Sequence, residues 1–214
     1  QPMLVAWGSE MNGTWFPWSG YFNGAGTQIP NAPNGQFQVP ERYKQAYRYV
    51  VDRVRAQGAA NIQWVFHANN SCNPDEPWNQ IARYYPGQDY ADWIGLSAYG
   101  QQYPQQGWLN YEQTFPQGYR EIIALAPDKP FMLAEWGVGE FPQDGSKGAW
   151  LSEAFRRFEA ELPQLKAAVF WHERWQNADL RYSNLRVNSS EESLHAYRAG
   201  VQRPFWLGRP QYRP

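Results

Sequence analysis

The chain has 214 residues, of which 19 are basic and 20 acidic, so its net charge is −1. This length suits one domain with a substantial core. Balanced charge without a basic block argues against nucleic acid or an anionic membrane surface as a partner. The longest apolar runs, such as residues 131–134, are too short to cross a bilayer.

Cysteine and histidine usage excludes two further classes of protein. Cys72 is the single cysteine, which excludes an intrachain disulfide framework. The three histidines show no spacing typical of a zinc site. We therefore expect neither a metal nor a cofactor.

Aromatic residues are unusually frequent, at 17% of the chain, and include 12 Trp and 14 Tyr. Many stand beside Gly, Pro, Asn and Gln in predicted loops, as in the segments GWLNYEQTF and HERWQNADLRY. Rings on loops, flanked by amides and carboxylates, suit sugars, which offer both a C–H face and hydroxyl groups. Composition therefore favours carbohydrate recognition.

The predicted elements alternate between strand and helix. In chain order they are strand 3–7, helix 40–57, strand 62–66, a short helix after Trp78, strand 93–99, helix 117–126, strand 130–136, helix 148–161, strand 167–171 and helix 190–202. The strands are short, nearly continuous apolar runs, typical of strands buried on both faces. Helix 40–57 begins with Pro40 in its first turn and ends at Gly58. The alternation predicts parallel β/α units of one α/β domain.

The loops that follow strands are long and rich in Trp, Tyr, Asn and Gly, whereas those leading from helix to strand are short. Strand-to-helix loops of parallel β/α structures gather on one face, where active sites are built. Glu10 follows the first predicted strand and Glu135 closes the fourth. Two carboxylates on one such face are the parts needed for glycoside hydrolysis.

Three segments, GSEMNGTWFPW, DWIGLSAYG and KPFMLAEWG, resemble glycoside hydrolase family 26, which contains β-mannanases, lichenases and β-1,3-xylanases. The resemblance implies a (β/α)8 TIM barrel of the glycoside hydrolase type. This chain would contain strands 4–8, with the N-terminal part of the barrel missing. Residues 1–214 would thus be a single, partial catalytic domain.

The resemblance also implies roles for individual residues. Glu10 matches the acid/base and Glu135 the nucleophile of a retaining double displacement. Trp15 matches a tryptophan that lines the cleft. Tyr99 matches a tyrosine that hydrogen-bonds the nucleophile and contacts the sugar, and Trp171 matches the floor beneath the sugar at the cleavage point.

Ser9 departs from the family pattern, since a histidine usually precedes the acid/base. A serine hydroxyl can still donate and accept hydrogen bonds, with a shorter reach. Residues outside the motifs are further candidates for sugar binding, with structural roles as the alternative: His67, Asn69 and Asn70 after the second strand, and Trp108 and Tyr111 in the loop after the third. Glu140 is expected to be a solvated loop charge.

The sequence therefore predicts a retaining endo-β-glycanase that acts on a plant-type β-1,4-linked polysaccharide, with β-mannan as the first expectation. A lichenase (β-glucanase) or β-1,3-xylanase of the same family is the alternative. A carbohydrate-binding relative with weak or no catalysis is the alternative of another class. We expect a secreted or extracellular protein, although no signal peptide pattern is visible. Another chain or a missing N-terminal segment would complete the barrel.

Overall fold

A computed structural model describes residues 2–30, 32 and 36–208. The elements, in chain order, are β1 (Met3–Ala6), a 3-10 helix (Gly20–Asn23), α1 (Gln38–Arg55), β2 (Ile62–Asn69), α2 (Ile81–Tyr84), β3 (Trp93–Tyr99), α3 (Tyr111–Thr114), α4 (Pro116–Leu125), β4 (Phe131–Gly137), α5 (Lys147–Glu161), β5 (Leu165–Phe170), β6 (Arg174–Gln176), β7 (Tyr182–Asn184) and α6 (Glu191–Val201). The chain divides into two compact units, Gln1–Ser97 with Gly118–Ala134, and Ala98–Gln117 with Glu135–Pro214.

The main sheet has five strands in the order β1-β2-β3-β4-β5. β1 pairs with β2 in parallel, with Met3 opposite Ile62. β2 pairs with β3 in parallel, with Val65 opposite Trp93. Sequential order and parallel pairing confirm the predicted β/α units, because each helical connection returns the chain to the same edge of the sheet.

Burial of the strands follows the sequence in the middle of the sheet and departs from it at both edges. Residues 64–68 of β2 and 94–98 of β3 are buried, as near-continuous apolar runs predict. β1 differs, since Met3 is 53% and Leu4 39% exposed. The prediction of a buried strand is wrong for β1, because it lies at the edge of the described sheet. At the β5 edge, Val169 is 47% exposed and only the first residue of the strand is buried, so the prediction of a buried strand is wrong there too.

The core of the first unit is an aromatic cluster beneath α1. Tyr43 and Tyr47 share the predicted apolar stripe of the helix and are buried. Tyr47 packs edge-on against Trp64 of β2 and against Trp7, and Tyr43 packs edge-on against Tyr84. These rings hold α1 on the sheet beside the loop that carries Glu10.

The core of the second unit is built around Trp136, the residue after Glu135. Trp136 is 2% exposed, and its ring contacts those of Trp150, Phe155, Phe158 and Phe170. β5 and α5 therefore pack on β4 through the side chain of Trp136. This packing fixes the part of β4 that presents Glu135.

Residues 172–189, predicted as loop, contain an antiparallel hairpin in which Trp175 of β6 faces Ser183 of β7. Its strands have three residues each, too short to show an alternating pattern. The loop that follows β3 likewise contains a short helix, α3, which begins with a capping box at Asn110. Both elements depend on local turns and caps that hydrophobic periodicity does not record.

Candidate active site

Glu10 lies in the loop after β1 and is buried, at 7% exposure. Its backbone is left-handed, with φ 54°, and its N–H donates to the His67 carbonyl at 2.9 Å. Trp15 Nε1 donates to Glu10 Oε2 at 2.6 Å, and Asn69 Nδ2 donates to Oε1 at 3.0 Å. One donor on each oxygen holds this carboxyl group in a single orientation.

The loop around Glu10 is tied together by tryptophans. Trp18 Nε1 donates to the backbone carbonyl of Ser9 at 2.8 Å. The hydrogen bond that Ser9 makes here is therefore through its backbone, and a sugar contact by its side chain stays a prediction. The Trp18 ring stacks on Phe16, with centroids 4.5 Å apart. Trp15 is 45% exposed, which leaves much of its ring surface open while its N–H is bound to Glu10. Trp15 can therefore offer a flat apolar face to a ligand.

His67 lies inside the sheet, at 4% exposure, with Nε2 2.7 Å from Ser97 Oγ. Burial lowers the pKa of His67 to about 4, and the nearby charge of Glu10 opposes that shift. His67 is therefore neutral at neutral pH. Its carbonyl supports the Glu10 loop through the backbone, whereas a sugar contact by its side chain stays a prediction.

Glu135 lies in β4, in the second unit, and is half-buried. Tyr99, the last residue of β3, donates its hydroxyl to Glu135 Oε2 at 2.7 Å. This is the hydrogen bond that the family resemblance implies. Adjacent strands of the sheet thus supply the carboxylate and the group that orients it.

Two tryptophans of the second unit were further candidates. Trp171 follows β5, is 40% exposed, and donates its backbone N–H to the Trp136 carbonyl at 2.9 Å, which fixes it beside the residue after Glu135. Trp108 is half-buried, and its ring lies so close to Gly145 that a Cβ there would overlap it. Their sugar contacts stay predictions.

A cluster of charged and polar side chains that the sequence did not predict lies after Glu135 in the chain, around the buried Lys147. Lys147 is 1% exposed, and its Nζ donates to the Arg186 carbonyl at 2.7 Å and to Ser189 Oγ at 2.9 Å. Burial lowers the pKa of Lys147 to about 8, while Glu140 opposes that shift. Lysine at a helix start gives no sequence signal of such a role.

Glu140 was expected to be solvated, and the structure shows otherwise. Its Oε2 accepts hydrogen bonds from Ser189 Oγ at 2.6 Å and from Ser190 Oγ at 3.0 Å. The cluster therefore fastens the segment after the β6–β7 hairpin to the loop that follows Glu135. The expectation was wrong because the partners lie about fifty positions later in the chain.

Within the described residues, no group of three or more His, Cys, Asp and Glu side chains could hold a metal ion. Among the helices of those same residues, none is both long enough and apolar enough to cross a membrane.

Comparison with known proteins identifies the family. The model of glycosyl hydrolase family 26 matches residues 2–143. Endoglucanase H of Acetivibrio thermocellus is 31% identical over 90% of this chain, which covers 19% of that protein. A mannan endo-1,4-β-mannosidase of Bacillus subtilis is 30% identical over 77% of this chain, which covers 37% of that protein. The chain thus spans less than half the length of these relatives.

Solved structures show the same fold. An endo-β-1,4-mannanase of Cellulomonas fimi superposes with a TM-score of 0.66 and 19% identity, over 96% of this chain and 42% of the mannanase chain. The strands and helices described above are therefore part of a (β/α) barrel, while their numbering as strands 4–8 stays a prediction. Motifs, fold and family model agree, and the chain belongs to glycosyl hydrolase family 26.

Proposed function

We propose that this chain forms the catalytic part of a retaining endo-β-glycanase that cleaves a plant-type β-1,4-linked polysaccharide, with β-mannan as its first substrate. One observation carries the proposal: each candidate carboxylate accepts a hydrogen bond from an aromatic side chain. Trp15 donates to Glu10, and Tyr99 donates to Glu135. The mannanase relatives support the choice of substrate.

In the first step, Glu10 gives its proton to the glycosidic oxygen while Glu135 attacks the anomeric carbon. The bond to the leaving sugar breaks, and an ester joins the remaining sugar to Glu135. In the second step, Glu10 takes a proton from water, whose oxygen attacks the anomeric carbon and releases Glu135. Two inversions retain the configuration, and this chemistry requires carboxyl groups about 5–5.5 Å apart.

The exposed rings of Trp15 and Trp171 are proposed to stack on sugars next to the cleavage point, because flat apolar faces match the C–H faces of a pyranose ring. Trp108 is proposed to hold a more distant sugar. Ser9 and His67 are proposed to contribute polar contacts. No metal or cofactor takes part in this chemistry.

The test replaces Glu10→Gln and Glu135→Gln separately and measures release of reducing ends from mannan, mixed-linkage glucan and β-1,3-xylan. Glu10→Gln is expected to lower kcat/KM on mannan by about 10²–10⁴-fold, because no proton reaches the leaving group. An aryl glycoside with an acidic phenol needs little protonation of its leaving group. On this substrate, Glu10→Gln is therefore expected to retain the rate of the first step, in which the ester forms. Glu135→Gln loses both activities, because no ester can form.

The exposed Glu76→Gln is the matched control and keeps wild-type rates. Unchanged activity in either site variant contradicts the assignment of that residue. NMR shows which anomer of the product is released first. Release of the inverted anomer would contradict the retaining mechanism. Cleavage of glucan or β-1,3-xylan in preference to mannan selects an alternative substrate, of which glucan is supported by the endoglucanase relative.

Ser9 favours one function of another class, a carbohydrate-binding relative with weak or no catalysis. The family pattern has a histidine at this position, and the shorter serine reaches less far toward a sugar. Titration calorimetry with mannan oligosaccharides separates the two functions. Binding without any product after long incubation would support the binding protein, whereas turnover supports the enzyme.

We propose that the enzyme acts outside the cell, because a polysaccharide is too large to be taken up intact. We also propose that a further N-terminal segment, or another chain, adds strands to the sheet edges at β1 and β5. Hydrogen exchange tests this: the β1 amides are expected to exchange more slowly when the additional segment is present.

A further inference from the structure

The side chain of Asn69 has a single possible orientation. Its Oδ1 accepts hydrogen bonds from the backbone N–H of Ser71 at 3.1 Å and from Ser71 Oγ at 3.2 Å. A backbone N–H can only donate, so the oxygen of the Asn69 amide must face Ser71. The amide nitrogen therefore faces Glu10, where Nδ2 lies 3.0 Å from Oε1.

Asn12 holds the backbone of Asn69 in place from both sides. Asn12 Oδ1 accepts the Asn69 N–H at 3.0 Å, and Asn12 Nδ2 donates to the Asn69 carbonyl at 2.9 Å. The Asn12 side chain has no exposed surface. Its own carbonyl accepts from Asn79 Nδ2 at 2.9 Å and from the Asn73 N–H at 2.8 Å. The end of β2 is thus fixed to the loop that carries Glu10.

The two donors on Glu10 differ in their surroundings. Trp15, on Oε2, is 45% exposed and available to a ligand. Asn69, on Oε1, is half-buried and anchored through Asn12. Each carboxyl oxygen has two acceptor positions, so both donors leave room for the proton that is transferred. Asn69 can therefore keep its hydrogen bond whether Glu10 is protonated or ionised.

We propose that Asn69 is a positioning residue for proton transfer by Glu10, an inference that rests on the proposed function. Its amide keeps the carboxyl group aimed at the glycosidic oxygen and stabilises the negative charge that remains after the proton has left. A hydrogen bond to a charged group is stronger than one between neutral groups. Asn69 acts through Glu10 alone and needs no contact with the sugar.

The test compares Asn69→Ala with wild type on two substrates, mannan and an aryl glycoside with an acidic phenol. We expect kcat/KM on mannan to fall about 10- to 100-fold, the effect of losing one hydrogen bond to a charged group. On the aryl glycoside, which needs little protonation, we expect less than a threefold fall. KM for mannan should change little.

A second variant, Asn69→Asp, keeps the shape of the side chain and places a second carboxyl group beside Glu10. Two carboxylates this close share one proton, so the alkaline limb of the pH–activity profile is expected to move upward by at least one pH unit. Asn188→Asp, the same change at an exposed position, is the control and keeps the wild-type profile.

Equal losses on both substrates with an unchanged pH profile would reduce Asn69 to a structural role and overturn the inference, as would wild-type rates in Asn69→Ala. If Asn69→Ala does not fold, the pH profile of Asn69→Asp decides. Failure of the proposed function looks different, because the wild-type chain would then cleave neither substrate.

Discussion

Glu10 and Leu180 both have a left-handed backbone, with φ 54° and 66°, which side chains other than glycine rarely adopt. At Glu10 the conformation is held by hydrogen bonds, since its N–H donates to His67 and its carbonyl accepts from Gly13. It directs a carboxyl group toward Trp15 and Asn69. Leu180 is 73% exposed in the turn between β6 and β7, where its side chain gains little from burial. The left-handed backbone at Glu10 therefore accompanies a candidate catalytic side chain, whereas that at Leu180 lies in an exposed turn.

Leu180→Gly is expected to raise the free energy of unfolding by about 0.5–1 kcal/mol, because glycine adopts the left-handed backbone without strain. The greater conformational entropy of glycine in the unfolded chain offsets only part of this gain. Urea denaturation measures the change. Leu207→Gly, at a residue that is 62% exposed and has no left-handed backbone, is the control and is expected to give no gain. Destabilisation by Leu180→Gly as large as that of the control would contradict the argument.

At the scale of elements, α5 and α6 pack closely because small residues lie at their contact. A Cβ at Gly200 of α6 would overlap the ring of Phe155 in α5. Phe155 is 2% exposed and also contacts Trp136 and Tyr197, so its ring cannot move aside. At Gly148 the neighbour is the side chain of Glu192, which is flexible. The helix contact therefore depends on Gly200 more than on Gly148.

Gly200→Ala is expected to lower the free energy of unfolding by about 1–3 kcal/mol through overpacking. Helix propensity alone predicts the opposite sign, a gain of about 1 kcal/mol. Ala199→Gly, at the exposed neighbouring position, measures the propensity contribution by itself. Thermal unfolding that shows a more stable Gly200→Ala variant would refute close packing at this contact.

At the scale of the whole molecule, buried ionisable groups make stability depend on pH. Burial lowers the pKa of His67 to about 4, from 6.5 in the unfolded chain. Between these values the unfolded chain binds a proton that the folded chain does not, so stability falls as the pH falls. The groups that face His67 are Ser97 and the carboxylate of Glu10, whose charge opposes the shift.

The wild-type chain is therefore expected to lose unfolding free energy between pH 6.5 and pH 4, by a total on the order of 3 kcal/mol from His67. His67→Gln keeps a donor for Ser97 and cannot titrate, so its stability should fall less steeply over this range. Urea denaturation at half-unit pH steps compares the two chains. Identical slopes would show that His67 is not the group responsible.

The sequence by itself determined the order of the five strands of the main sheet and of the longer helices, the parallel β/α pattern and the position of both candidate carboxylates. Each of these is a local feature. Apolar runs mark the buried strands, and the motifs around Glu10 and Glu135 lie within a few residues of each strand end. The hydrogen bond between Tyr99 and Glu135 was implied by the family resemblance, and the two residues lie on neighbouring strands of the sheet.

Only the tertiary structure decided which groups orient and bury these side chains. Asn69 meets Glu10 across fifty-nine positions, and Lys147 meets Ser189 across forty-two. Contacts between residues so far apart leave no periodic pattern in the sequence. The exposure of β1 was also decided by its place at the edge of the described sheet, since an apolar run records hydrophobicity but not whether a neighbouring strand covers it.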